Sequence, residues 1–120
     1  MSNLKQCAVG MAIYASDNDD RVPRCAKWMD DLIPYTKNEN IFRCPVLKEG
    51  SFGYAMSKYA NAGKMETPDA DKKPLLFETR ELGRSVSQYL PLYPAPLRHN
   101  GMANVAYFDT HVRAIRMEKE

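Results

Sequence analysis

An amphipathic stripe at the front of the chain and an alternating, strand-like run at its end predict an α+β domain. The stripe marks an N-terminal α-helix, and the alternation marks strands that finish in a C-terminal antiparallel β-hairpin. Size bounds the prediction. The chain has 120 residues, 44% of them apolar, with no internal repeat, low-complexity segment or composition break, so one domain over 1–120 is expected.

In "MSNLKQCAVGMAIYAS" the residues Leu4, Cys7, Ala8, Met11 and Ala15 recur at steps of three and four, the buried stripe of a helix. The helix should run over about 2–16 with Ser2 or Asn3 as cap, roughly 22 Å long at 1.5 Å per residue. "DNDDRVP" ends it, because polar residues favour turns and Pro23 cannot continue a helix. Asp17, Asp19 and Asp20 are spaced somewhat like the first ligands of a calcium loop. Val22 and Trp28 stand where such a loop needs a glycine and a bidentate glutamate. The reading is a solvated turn, with weak calcium binding as the alternative.

A second, short helix follows over about 26–36, with Trp28, Leu32 and Tyr35 on one side and Pro34 shortening or kinking its end. "NENIFRCP" then runs extended into Pro45. The three cysteines, Cys7, Cys25 and Cys44, lack the spacing of a zinc site or a disulfide scaffold. A Cys25–Cys44 bond would close a loop of about 20 residues, add ~3 kcal/mol in the chain-entropy model and require an oxidising compartment. Buried free thiols are the alternative.

"SFGYAMSKYANAG" shows no clear period, and "KMETPDADKKP" is a polar loop broken by Pro68 and Pro74. "LLFET", residues 75–79, reads as a short central strand. The prolines of "YLPLYPAPL" exclude regular structure and suit a loop packing Tyr89, Leu92 and Tyr93 over the sheet. Asn100-Gly101 is a further turn signal. In the closing hairpin, a two-residue turn at Asp109-Thr110 would set Phe108 opposite His111, Tyr107 opposite Val112 and Val105 opposite Ala114. Alternation would then put Ala103, Val105, Tyr107, Val112 and Ala114 on the core side, and His111 on the other face beside Phe108.

Charge and motifs narrow the function classes. With 17 basic against 15 acidic residues and no run of like charge, nothing favours a nucleic-acid or membrane-surface patch. No apolar run reaches the ~18 residues of a membrane span, and no signal peptide is evident. An enzyme reading would pair His99 with Asp109 as base and orienter, or gather His99, His111 and Asp109 around a metal as a metal-dependent hydrolase. It lacks a nucleophile elbow, a phosphate loop and a metal-spaced helix motif. The structural reading lets His99 donate to backbone or to Asp109, while Asp109 accepts amide protons in the turn. A binding module, in which exposed Tyr and Trp residues contact a polysaccharide or a partner protein, is the third class, and seven tyrosines permit it.

The segments "SNLKQC", "YASDNDDRVP", "YTKNENIFRCP" and "RHNGMANVAYFDTHV" together resemble type IV pilin-like and type II secretion pseudopilin-like proteins with a C-terminal H-X9-DG motif. His99, nine intervening residues and Asp109 match that motif, and Thr110 departs from its glycine. The resemblance implies a non-enzymatic filament subunit without a cofactor, partnered by other pilin or pseudopilin subunits and secretion machinery. It implies a long helix whose apolar first half anchors in the inner membrane, with residues 1–16 as the second half lying on an antiparallel sheet and the anchoring half absent. The location would be extracytoplasmic. Major pseudopilins often bind calcium near the C-terminal end of the sheet, where this chain has no carboxylate cluster beside Asp109. A type I′ turn needs positive φ at both central residues, so Thr110 predicts either strain or another turn type.

Overall fold

The computed structural model describes residues 3–43, 52–79, 83–89 and 102–116. Helix α1 (Asn3–Asp17) buries Leu4, Cys7, Ala8, Met11 and Ala15, the stripe expected from sequence. Gly10 completes that face for a steric reason: a β-carbon there would stand 2.7 Å from Thr36 Cγ2. A glycine inside a helix costs about 1 kcal/mol relative to alanine. Here it lets α1 approach α2 (Trp28–Thr36), which a short 3-10 turn over Cys25–Lys27 precedes.

Helix α2 carries Pro34 in its last turn and stops at Lys37, whose φ of 58° and N–H bond to the Ile33 carbonyl close the helix end. A second 3-10 turn, Glu39–Phe42, brings Phe42 edge-on to Trp28 with ring centres 5.8 Å apart. Asn3 Nδ2 donates to the Arg43 carbonyl at 2.8 Å and Cys7 Sγ to the Ile41 carbonyl at 3.3 Å, fastening this segment along α1. Among the described residues no helix is long and apolar enough to cross a membrane.

The described residues then form five strands: β1 (Tyr54–Ser57), β2 (Pro74–Glu78), β3 (Val86–Gln88), β4 (Met102–Tyr107) and β5 (Val112–Arg116). They form one sheet in the order β3-β1-β2-β4-β5. The expected purely antiparallel sheet is corrected to a mixed one, because β3 runs parallel to β1 while the other neighbours are antiparallel. Strand β3 is only three residues long, and contacts from α2 hold it at the edge. Trp28 Nε1 donates to the Val86 carbonyl at 2.9 Å, and the Met29 N–H donates to Ser85 Oγ at 3.1 Å.

The central strands are buried on both faces. Tyr54, Met56, Leu76 and Ala106 join the α1 side of the core, whereas Ala55, Phe77, Val105 and Tyr107 form a second cluster flanked by Val86 and Ile115. All four residues of β1 are buried, so "SFGYAMS" carries no polar alternation to read. Glu78 is 1% exposed, and its carboxylate accepts the Asn104 N–H at 2.6 Å. A buried carboxylate needs such partners to offset lost hydration.

Candidate functional site at the C-terminal hairpin

Strands β4 and β5 pair as Ala106 with Val112, Val105 with Arg113, Asn104 with Ala114 and Ala103 with Ile115. This corrects the expected ladder by one residue. The connection is Phe108-Asp109-Thr110, not a two-residue turn: the Thr110 N–H donates to the Tyr107 carbonyl at 2.9 Å and the Tyr107 N–H to the His111 carbonyl at 3.0 Å. A β-turn over Tyr107–Thr110 thus ends on a residue in the left-handed region, with Thr110 at φ 74°. Three-residue hairpin loops place a left-handed residue at that point, where glycine is cheapest.

Because side chains alternate with period two, the one-residue slip exchanges the faces. Ala106 and half-buried Val112 pack toward α1, Ala103 and Val105 are buried, and Ala114 is exposed rather than on the core side. His111 lies not beside Phe108 but flat against Tyr107, ring centres 4.4 Å apart and planes 4° from parallel.

Asp109 sits at the outer corner of this turn. Its Oδ1 accepts the His111 N–H at 3.1 Å and is also in hydrogen-bond contact with His111 Nδ1. An aspartate that bonds the amide two residues on is the usual device for stiffening a turn. Desolvation opposes ionisation of Asp109, yet the bonds from the His111 ring and N–H, with the nearby imidazole charge, hold its carboxyl below the ordinary range. Both side chains are about two-fifths exposed, so this pair is screened by water.

The turn is docked from two sides. The Phe108 N–H donates to the Lys73 carbonyl at 3.0 Å and the Asp109 N–H to the Ala70 carbonyl at 3.3 Å. From α1, Lys5 Nζ donates to the Thr110 carbonyl at 2.7 Å and to Thr110 Oγ1 at 3.3 Å. Sequence reasoning missed Lys5 and Tyr107 as partners of this site. A lysine one position past the first stripe residue carries no signal of a contact 105 residues away.

The other sequence-predicted residues lie elsewhere. His99, the expected partner of Asp109, is outside the described residues. Asp17 ends α1, and Asp19 and Asp20 follow with φ of 57° and 62°. Asp20 Oδ2 accepts the Glu66 N–H at 3.0 Å, and the Asp20 carbonyl accepts the Met65 N–H at 2.7 Å, tying this acidic turn to the loop after β1. Cys25 is buried with Sγ 3.5 Å from the Ser57 carbonyl, and burial raises its thiol pKa against a smaller opposing effect of Lys58. Its proposed partner Cys44 is outside the described residues. Leu92 and Tyr93 are too, while Tyr89 is well exposed.

Chemically, the hairpin presents an exposed Asp–His pair on a braced turn. Among the described residues no three His, Cys, Asp or Glu side chains come close enough to hold a metal ion. Comparison with known proteins adds no relative: no family model, no curated protein and no solved structure matches this chain.

Proposed function

We propose that the chain is the pilin-like globular part of a pseudopilin-like subunit in a type II secretion or type IV pilus-like filament. It works without catalysis, by helix packing and surface contacts with other subunits and with the secretion machinery. The observation that carries this reading is the two-sided character of α1. One side is buried on the sheet, while Val9 and the 46%-exposed Ile13 form a second apolar strip beside a groove of about 230 Å³ shared with Tyr35 and Ile41. A neighbouring subunit's helix would cover that strip, since exposed apolar surface next to a groove favours association. The quoted segment likenesses support the same reading. In it, α1 is the second half of the pilin helix, and an apolar segment ahead of it anchors the subunit in the inner membrane with the domain outside the cytoplasm.

The test uses the full-length protein in its native cell. An Ile13→Cys variant should crosslink between neighbouring subunits, and the protein should fractionate with the inner membrane until it is assembled into a filament. A protein found in the cytoplasm, encoded without an apolar segment ahead of α1, would overturn the proposal.

A further inference from the structure

Beside the hairpin turn, with Phe108 in its wall, lies a cleft of about 600 Å³, within the usual ~300–1,000 Å³ range of small-ligand sites. Its lining combines two chemistries. Phe77, from the sheet face opposite α1, contributes apolar surface, as does Phe108, and Lys64, Lys72 and Lys73 supply positive charge. Among the described lining residues there is no carboxylate. Tyr59 and Tyr89 are 77% and 59% exposed, and their rings meet at 61° with centres 5.0 Å apart, so they form an aromatic corner. Lys58 Nζ sits 5.3 Å from the centre of the Tyr89 ring on the neighbouring side. Lys73 is already engaged with Thr67 Oγ1 at 3.0 Å, which leaves Lys64 and Lys72 as the exposed charges at the mouth.

Large exposed aromatic rings are costly to leave in water and are suited to covering the C–H face of a saturated ring. The lysines select an anion. The extent of that anion is limited, because past Lys64 and Thr67 the adjoining hollow is lined by Asp20 and Glu66. A polyphosphate backbone tracking across the surface would meet those carboxylates, whereas a short ligand would not. We propose that this cleft binds a short acidic saccharide, its pyranose ring against Tyr59 and Tyr89 and its carboxylates toward Lys64 and Lys72. This site stands independently of the filament reading.

Calorimetric titration of the purified chain at low salt tests the assignment, with trigalacturonate as the probe and galactotriose and oligothymidylate as controls. Trigalacturonate should bind, galactotriose should bind markedly more weakly, and added salt should weaken the acidic sugar. Tyr59→Ala and the double variant Lys64→Gln/Lys72→Gln should each lower affinity by about fivefold or more, a loss of about 1 kcal/mol. Both alter exposed side chains, so their thermal melts should match the parent. Equal binding of the neutral sugar, tighter binding of oligothymidylate, affinity unchanged in both variants, or no binding of trigalacturonate would each overturn the proposal.

Discussion

The turn after α1 and the turn between β4 and β5 make the same demand on the backbone and meet it with different residues. Asp19 and Asp20 take φ of 57° and 62°, and Thr110 takes 74°. Each turn also uses an aspartate to accept an amide proton, Glu66 N–H at Asp20 and His111 N–H at Asp109. Aspartate tolerates the left-handed region because its short polar side chain bonds locally, whereas a β-branched threonine is crowded there. The first turn therefore sits in a conformation its residues accept. The second is held by its surroundings: Lys5 on the Thr110 carbonyl, and the Lys73 and Ala70 carbonyls on the amides of Phe108 and Asp109. Strain persists where neighbouring contacts over-determine the backbone.

Four measurements test whether the two turns differ in this way. The largest effect is expected at Asp20, where alanine loses both the local tolerance of positive φ and the carboxylate that receives the Glu66 amide. Asp20→Ala should destabilise by about 2 kcal/mol in a denaturant melt with unchanged slope, and Asp20→Gly by about half of that. If glycine and alanine cost the same, backbone tolerance is not what suits aspartate to this turn.

Next in size is Thr110→Gly, expected to stabilise by about 1 kcal/mol despite the lost Oγ1 contact to Lys5. Thr110→Ala keeps a β-carbon and should gain much less. A lower midpoint for the glycine variant would show that Thr110 is not strained.

The third test follows the Asp109 carboxyl, whose folded pKa is depressed. A depressed carboxyl contributes stability above its unfolded pKa and loses it as pH falls through the folded value. Parent stability should therefore fall more steeply than that of Asp109→Asn below about pH 4. Parallel pH profiles for the two proteins would remove the His111 pairing from the energetics of the turn. The smallest change, Asp19→Gly, should raise stability by about 0.5 kcal/mol or leave it unchanged, because aspartate already accepts this conformation. A gain as large as that of Thr110→Gly would erase the distinction between the turns.

Much of the fold was legible where a single face is buried. The stripe Leu4, Cys7, Ala8, Met11 and Ala15 located α1 to within about a residue, and Trp28, Leu32 and Pro34 located α2. "LLFET" marked β2 to within one residue. Legibility ended at strands enclosed on both sides or held from outside. Strand β1 has no polar face to alternate, and β3 is a three-residue segment aligned by Trp28 and Ser85 contacts that span more than fifty residues. At the candidate site, Asp109 was recognisable as a turn residue from its type and place. The stacking of His111 on Tyr107 was not, because it depends on register.

Local periodicity, turn chemistry and side-chain shape were enough to place the two α-helices and the hairpin strands from sequence and to single out Thr110 as the residue that a positive-φ turn would strain. The number of residues in the β4–β5 connection, and therefore the face of the hairpin that meets α1, depends on contacts between distant segments. The two-residue and three-residue connections differ little locally. They differ in whether Phe108 and Asp109 reach the Lys73 and Ala70 carbonyls and whether Thr110 reaches Lys5, contacts that exist only once distant segments have come together.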